Sequence, residues 1–324
     1  MSLTELLDTV RSSAGLHCKT EIQLVQRHLA EAYPAPFPNG DDAAVIPSGD
    51  GFDLLAGEGF IDAFVSSDPW FAGWCGVMVN VSDIAAMGGR PVAVVNALWG
   101  GNDAATADVL RGMAAASRAY QVPIVGGHTN LRCAEPRLAV SILGRANRVL
   151  DAFAAKPGQV LIAAIDLRGA YQPPYNHWNA ATQAPPERLR GDIALLPAIA
   201  ECGLATAAKD ISQAGLLGTC VMLLESSGTG VDIDLAAIPK PAGVDWVQWL
   251  TTFPSYGYLL ATDARNVSAL LARFHRREIA AAAIGTLNAS GLCQVHTDAT
   301  SELFWDVQST PLTALRKHHA GNLL

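Results

Sequence analysis

The sequence lacks the patterns that mark several common protein classes. Its six cysteines are dispersed without a CxxC pair, and its eight histidines never occur as HxxxH or HxH. A zinc site built from neighbouring ligands is therefore not expected, and reduced thiols in the cytoplasm fit the cysteine usage best. No uninterrupted apolar run of about 18 residues is present, so we expect a soluble, cytoplasmic protein that does not span a membrane.

Charged residues are also scarce, at 16% of the 324 residues, whereas hydrophobic residues account for 50%. A chain of this length and composition can bury a large core and is expected to form two domains. The net charge of -8 is not interrupted by a basic cluster. The charge pattern therefore argues against nucleic acid as a partner and names no other ligand.

The most informative stretch is a largely apolar segment at residues 69–87, which is long enough for a buried helix. Ser67-Asp68-Pro69 predicts the start of the helix, and Gly88-Gly89 predicts its end. Asn80 and Asp83 interrupt the apolar pattern, and their spacing puts them on one helix face, where they can address one ligand. A buried carboxylate costs several kcal/mol unless a cation or strong donors compensate it.

Other acidic residues stand beside predicted strands and helices. Asp41 and Asp42 begin a strand-like segment at residues 41–46, and a hard cation such as Mg²⁺ would relieve their repulsion. For an isolated Asp-Asp pair, a solvated acidic turn is the simpler interpretation. Glu58 lies in the next strand-like segment, and Asp210 precedes a helix predicted at 212–225, either as its capping carboxylate or as a further acidic ligand.

A glycine pair follows a short strand predicted at residues 121–125. Gly126 and Gly127 would let backbone N–H groups approach a ligand closely, and Thr129 would add a polar contact. A tight turn explains two glycines equally well. The sequence thus predicts a loop at this point and leaves its role open.

The domain organisation is predicted from turn-forming residues along the chain. A Lys-Pro-Gly turn within residues 147–158 suggests domains at 1–150 and 151–324. A polar, aromatic and proline-rich excursion at 166–190 is interpreted either as a functional loop or as a mobile surface insertion. Further along, a helix is predicted to continue to residue 283.

Four segments match, in type and order, the motifs of a known family. They are GDDAAVI at 40–46, NVSDIAAMGG at 80–89, VPIVGGHTN at 122–130 and KDISQAGLLG at 209–218. On these motifs the chain resembles the aminoimidazole ribonucleotide (AIR) synthetase superfamily, which includes thiamine-monophosphate kinase, selenophosphate synthetase and the hydrogenase-maturation carbamoyl dehydratase. No single branch matches throughout: Gln213-Ala214 departs from the thiamine-monophosphate kinase motif, whereas GGHT is closest to selenophosphate synthetase.

The resemblance implies an α/β (α+β) protein of two domains, with an N-terminal sheet that pairs across a homodimer and a C-terminal α/β sandwich. Domain 1–150 would bind ATP and Mg²⁺ and dimerise, and domain 151–324 would face the substrate. The implied metal ligands are Asp41, Asp42, Glu58 and Asp83. The implied nucleotide-binding residues are Asp42, Asn80, Gly126, Gly127, His128 and Thr129, and the implied catalytic residues are Asp83 and Asp210.

The shared chemistry of the superfamily implies a Mg²⁺-dependent enzyme that uses ATP to phosphorylate a small metabolite or to activate its amide or carbamoyl oxygen. The alternative is a nucleotide-binding paralogue that has lost turnover and serves as a structural or regulatory subunit. The chain contains all the acidic residues that match the metal ligands of the superfamily, and their presence favours an enzyme over an inactive paralogue. The aromatic residues at 171–178 suggest that the substrate carries a stacking or apolar group.

Overall fold

The computed structural model describes residues 1–29, 32, 39–100, 103–254 and 256–315. The chain divides into two compact units, each discontinuous in sequence. The seven-stranded unit, named after its main sheet, comprises Met1–Asp41, Leu150–Ala180 and Cys202–Leu324. The five-stranded unit comprises Asp42–Val149 and Ala181–Glu201.

The described residues form eleven α-helices. They are α1 (Leu3–Arg11), α2 (Ala14–Thr20), α3 (Ile22–Leu29), α4 (Asp62–Ser67), α5 (Pro69–Ala86), α6 (Asp103–Tyr120), α7 (Pro186–Ile193), α8 (Leu195–Glu201), α9 (Gly215–Ser227), α10 (Trp246–Leu250) and α11 (Val267–His275). None of these helices is both long and apolar enough to span a membrane.

The same residues form fifteen β-strands. They are β1 (Ala44–Ser48), β2 (Gly51–Phe60), β3 (Arg90–Trp99), β4 (Ile124–Asn130), β5 (Arg137–Ala146), β6 (Val160–Ile165), β7 (Ala170–Tyr171), β8 (His177–Asn179), β9 (Ala207–Asp210), β10 (Gly230–Asp234), β11 (Phe253–Pro254), β12 (Gly257–Thr262), β13 (Ala280–Asn288), β14 (Leu292–His296) and β15 (Ser301–Asp306). The strand orders are β1-β2-β5-β3-β4, β15-β14-β10-β13-β6-β12-β9 and β11-β8-β7.

The two compact units differ from the predicted domains at two segments. Residues 1–41 group with the second half of the chain, and residues 181–201 group with the first half. Helix α1 explains the first difference, because it buries Leu6, Leu7 and Val10 in the core of the seven-stranded unit. A helix this short is stable mainly through tertiary packing, and its amphipathic pattern does not say which partner it packs against.

Helix α5 is the central helix of the five-stranded unit, and its predicted limits are confirmed. Asp68 is the N-cap and accepts a hydrogen bond from the N–H of Phe71 (3.2 Å), and Pro69 occupies the first turn. Gly88 then takes a left-handed conformation, with φ 76°, which ends the helix. Every residue of α5 from Phe71 onward is buried, so the helix has no solvent-exposed face over that length.

Helix α5 covers one face of the five-stranded sheet. A Cβ added to Gly76 would lie 3.0 Å from Val140 Cγ2, and one added to Gly144 would lie 2.4 Å from Ile84 Cγ2. The helix is therefore in close contact with alternate residues of β5. On the other face Leu55, Leu143 and Val95 remain 42–49% exposed. We call this second surface the open face.

The core of the seven-stranded unit contains residues of α1, α9, α10 and the large sheet. Gly215 begins α9 with φ 70°, and a Cβ there would lie 2.0 Å from the carbonyl oxygen of Leu250. The backbone at Leu250 therefore lies too close to α9 for any side chain at this position.

One prediction about the second half of the chain is wrong, and the structure refines another. Helix α11 ends at His275, and the alanine run continues as strand β13 rather than as helix, because pairing with β10 and β6 outweighs the helix propensity of alanine. Segment 166–190 is not a structureless loop. It contains β7 and β8, which form a small sheet with β11, and the start of α7.

Candidate functional site

A polar face is buried on the otherwise apolar helix α5. Asn80 is 0% exposed and Asp83 is 6% exposed. The Nδ2 of Asn80 donates to the carbonyl oxygen of Gly76 (2.8 Å), whereas its Oδ1 is buried with no hydrogen-bond partner among the described residues. A buried acceptor without a donor costs about 1–3 kcal/mol. Such an atom is expected where a ligand, ion or water supplies the missing donor or charge.

Strand pairing places two predicted residues on the sheet face that α5 covers. Residues that lie opposite each other on paired strands point to the same face of a sheet. Glu58 is opposite Val140, Val140 is opposite Asn96, and Asn96 is opposite Gly127. Because α5 packs on Val140, this row lies on the α5 side, with Glu58 itself exposed to solvent.

The prediction of a glycine loop after residue 125 is wrong. Strand β4 runs from Ile124 to Asn130 and includes the whole GGHT segment. Within the described chain it pairs only with β3, and the register shift leaves Val125 as an extra residue just before the glycines. Bulges of this kind are common beside functional sites.

The strand geometry divides the predicted nucleotide-binding residues of β4 between two faces. Gly127 and Thr129 point to the α5 side, because they pair with Asn96 and Leu98. Gly126 and His128 point to the open face. Because side chains alternate between the two faces of a strand, adjacent residues of β4 point in opposite directions. A loop would not impose this alternation.

Gly127 is the member of the glycine pair that must stay small. A Cβ there would lie 2.4 Å from Asn96 Oδ1 and 2.5 Å from the carbonyl oxygen of Asn96, whereas a Cβ on Gly126 would meet only Val95 Cγ1, at 3.9 Å. Sequence reasoning missed Asn96. Its signal was a lone amide in the middle of a β-branched strand, where an apolar residue is expected.

Asp41 belongs to the seven-stranded unit and has partners there for both carboxylate oxygens. The Nζ of Lys209 lies 3.0 Å from Asp41 Oδ1, and the N–H of Ala152 donates to Oδ2 at 2.7 Å. Both side chains of the ion pair are only 4% exposed. Lys209 was not predicted as a site residue, although a lysine in an apolar strand is a signal for a buried ion pair.

The predicted metal ligands do not form a cage of three or more side chains. Among the residues that the structure describes, no three His, Cys, Asp or Glu side chains are close enough together to hold a metal ion. Asp42, Glu58 and Asp83 belong to the five-stranded unit, whereas Asp41 belongs to the seven-stranded unit. Asp42 is half-buried and lies two residues before the start of β1 at Ala44.

Asp210 is a buried carboxylate at the end of strand β9. It is 6% exposed and lies opposite the fully buried Tyr258 of β12. The alternative of a capping role is wrong, because Ala214 is the N-cap residue of α9 and no side chain caps that helix. Close to Asp210, the Oγ of Ser212 is buried without a hydrogen-bond partner in the described chain.

Residues 40–146 match the family model of the N-terminal domain of AIR synthase related protein, and residues 170–298 match that of its C-terminal domain. An uncharacterized protein of Synechocystis sp. is 44% identical over 316 residues, covering 96% of this chain and 98% of that protein. A selenide, water dikinase of Geobacter metallireducens is 32% identical over 219 residues, covering 63% of this chain and 62% of the dikinase.

Solved structures share the fold at low sequence identity. Thermotoga maritima PurL complexed with FGAR has a TM-score of 0.74 and 18% identity over 98% of this chain and 54% of PurL. AaThiL complexed with AMPPCP and TMP has a TM-score of 0.66 and 21% identity over 86% of this chain and 93% of that protein. The chain spans about half the length of the PurL chains that it matches.

These relatives include a kinase and proteins solved with ATP or an ATP analogue. The predicted two-domain mixed α/β fold is confirmed by the match to both family domains and by the structural neighbours. The chain belongs to the AIR synthase related family.

Proposed function

We propose that this protein is a Mg²⁺-dependent enzyme that uses ATP to phosphorylate a small metabolite or to activate its amide or carbamoyl oxygen. The observation that carries the proposal is the buried polar face of α5. Asn80 and Asp83 lie one helical turn apart, and the Oδ1 of Asn80 has no hydrogen-bond partner among the described residues. A ligand that supplied a donor or a cation to this atom would remove the cost of burying it.

The residues of the five-stranded unit would divide the binding of nucleotide and metal. Asp83 and Asp42 would hold Mg²⁺, and Asn80, Gly127 and Thr129 would bind the nucleotide. Two carboxylates would be enough, because Mg²⁺ is commonly held by one or two carboxylates together with substrate phosphates. Glu58 lies on the same sheet face and is the remaining candidate ligand.

Asp41 would have a structural role rather than a metal-binding one. Its two oxygens already bind Lys209 and the N–H of Ala152. A metal ion at Asp41 would have to displace a lysine that is buried with it, which would leave the ammonium group without its partner.

Asp210 would be the carboxylate that acts on the acceptor, as the family motif implies. Mg²⁺ would neutralise the charge of the phosphates, and the protein would contribute mainly the positions of the reacting groups. The chain therefore needs no nucleophile of its own.

The open face would be the homodimer interface. Leu55, Leu143 and Val95 lie together on paired strands and remain partly exposed. Contiguous exposed apolar residues on a sheet mark an interaction surface. Gly126 and His128 share that face, so a second copy of the chain would lie next to them.

The dimer is tested by light scattering after size-exclusion chromatography. We expect wild type to be a dimer and Leu143→Glu to be a monomer, because a carboxylate would be buried in the interface. Leu110→Glu is the matched control, since Leu110 is 45% exposed on α6 and Leu143 is 42% exposed. A monomeric wild type, or a dimeric Leu143→Glu, would count against this interface.

The nucleotide site is tested by calorimetry with ATP in the presence and absence of Mg²⁺. We expect Mg²⁺-dependent binding to wild type and a loss of about tenfold or more in affinity for Asp83→Asn, since a charged ligand is removed. Asp103→Asn removes an exposed carboxylate at the start of α6 and should bind like wild type.

Two results of that experiment would change the proposal. Absence of Mg²⁺-dependent ATP binding to wild type would sink it. Binding without ADP release over a panel of small acceptors would favour the alternative of a nucleotide-binding subunit that has lost turnover.

A further inference from the structure

The segment after β6 builds a two-layered aromatic structure in the seven-stranded unit. Strands β7 and β8 pair antiparallel, and β11 pairs parallel with β8. Because side chains alternate along a strand, Trp178 points to one face of this small sheet and His177 to the other. Burial agrees, since Trp178 is 6% exposed while His177 is half-buried.

The inner layer is structural. The ring of Trp178 meets those of Tyr171 (5.2 Å) and Trp249 (5.6 Å) edge to face. The indole N–H of Trp178 donates to the carbonyl oxygen of Asp166 (3.0 Å), and the hydroxyl of Tyr171 lies 3.0 Å from Thr252 Oγ1. These contacts fix the β7–β8 hairpin on α10 and the large sheet. The interpretation of this segment as a mobile insertion is therefore wrong.

The outer layer holds three more rings that the core does not use. Tyr175 is stacked on His177, with ring centroids 5.4 Å apart and an interplanar angle of 20°. Phe253 meets His177 edge to face at 5.9 Å. All three rings are half-buried. A layer of partly exposed aromatic rings on a rigid base is prepared for stacking, because little side-chain freedom is lost when a ligand binds.

The outer layer also carries hydrogen-bonding groups of no net charge. Gln172 lies opposite His177, and Asn179 lies on the same face, where its Nδ2 is 3.4 Å from Gln172 Oε1. Burial lowers the pKa of His177, so its imidazole is neutral at neutral pH. Arg168, the cation nearest in sequence, is bound to Asp166 and Glu278. The surface therefore suits an uncharged ring with polar edges rather than a phosphate.

Phe253 of the outer layer lies close in sequence to the strand that pairs with the proposed catalytic carboxylate. Asp210 lies opposite Tyr258, and the ring of Tyr258 is 4.9 Å from that of Tyr256. Tyr256 follows Phe253 by three residues in the chain. Strand β12, which pairs with β9 at Asp210, thus begins four residues after Phe253.

We propose that Tyr175, His177 and Phe253, with the amides of Gln172 and Asn179, form the surface that recognises the acceptor, and that the acceptor carries a planar, uncharged aromatic or heteroaromatic ring. This inference rests on the proposed function, because it assigns a ligand to the acceptor side of that reaction. The ring would stack on the outer aromatic layer, and its polar edge would bind the two amides.

Binding of small probes tests the surface without ATP or Mg²⁺. Benzamide, nicotinamide and cyclohexanecarboxamide share a carboxamide and a six-membered ring, but only the first two rings are planar. We expect the planar amides to shift the NMR signals of the His177 ring, assigned with His177→Gln. We also expect them to bind about 3- to 10-fold more tightly than the saturated amide, which is the usual range for one stacking contact.

Three variants distinguish stacking from general stickiness. Tyr175→Ala should abolish the preference for planar amides, and Tyr175→Leu, which keeps apolar bulk and guards against misfolding, should abolish it too. Trp305→Ala removes a half-buried ring from β15 and should leave the preference intact. Equal binding of planar and saturated amides, or a preference that survives in Tyr175→Leu, would overturn the proposal. If wild type shows no Mg²⁺-dependent ATP binding but still prefers the planar amides, the proposed function is overturned and the ring-binding surface is not.

Discussion

A buried carboxylate in one unit has a partner for each of its oxygens, whereas a buried amide in the other unit has an oxygen without a partner in the described chain. In the seven-stranded unit, Asp41 has Lys209 on one oxygen and the N–H of Ala152 on the other. In the five-stranded unit, Asn80 is fully buried, yet its Oδ1 has no hydrogen-bond partner among the described residues. A satisfied buried group holds a structure together, whereas an unsatisfied one lowers stability and is retained where a ligand completes it.

The contrast predicts opposite consequences of mutation in the two places. Removing one partner of Asp41 should damage folding with little direct effect on the ligand site. Removing the amide of Asn80 should damage ligand binding with little effect on folding. Such a division is the expected trade between stability and activity.

The largest effect is expected for Lys209→Met. This change leaves the carboxylate of Asp41 buried without its cation, and breaking a buried ion pair in this way costs about 3–5 kcal/mol of unfolding free energy. Chemical denaturation monitored by circular dichroism measures the loss.

The matched control is the double variant Lys209→Met with Asp41→Asn. It removes both charges, so most of the lost unfolding free energy should return. If Lys209→Met alone stays within about 1 kcal/mol of wild type, the pair is not structural, and Asp41 becomes a candidate metal ligand again.

Gly127→Ala should come next in size. Its methyl group would lie 2.5 Å from the carbonyl oxygen of Asn96, so β3 and β4 must move apart, at a cost of about 1–3 kcal/mol. Gly126→Ala is the matched control and should change the unfolding free energy little, because its methyl group meets only Val95 Cγ1 at 3.9 Å. Thermal unfolding of the two variants measures the difference. Equal losses of unfolding free energy would argue against the described pairing of β3 and β4.

A smaller effect on stability is expected for Asn80→Leu. Leucine replaces a buried amide whose Oδ1 has no partner, so the unfolding free energy should stay within about 1 kcal/mol of wild type or rise. Affinity for Mg²⁺-ATP should nevertheless fall, as calorimetry would detect. A large loss of stability together with unchanged ATP affinity would identify Asn80 as a structural residue instead.

The smallest effect concerns an ion pair at the surface of the five-stranded unit, in contrast to the buried pair of Asp41. Hydrogen bonding from Arg90, helped by Asn147, lowers the pKa of Glu201 from its ordinary 4.5 to about 2. A lowered carboxylate pKa stabilises the folded state above pH 4.5, and this contribution is lost as the pH falls from 4.5 towards 2.

Acid titration of unfolding tests this pH dependence. Between pH 5 and 2, wild type should lose slightly more stability than Arg90→Gln, in which Glu201 lacks its cation. Parallel curves for the two proteins would show that the pair contributes nothing, as is common for exposed ion pairs.

Local features of the sequence were enough to predict helix α5 and its boundaries. Asp68 and Pro69 set its start, Gly88 sets its end, and the apolar run between them has no alternative to burial. The four motifs were likewise enough to identify the family, because each is short and contiguous. The polar face of α5 also followed from the spacing of Asn80 and Asp83.

The sequence by itself thus determined the buried helix, its polar face and the family, whereas tertiary structure decided the partners. Lys209 meets Asp41 across 168 residues of chain, and no local pattern links them. Strand pairing put Gly127 and Gly126 on opposite faces, and tertiary packing placed α1 with the second half of the chain. Each of these depends on contacts between distant segments, which local propensity and periodicity do not encode.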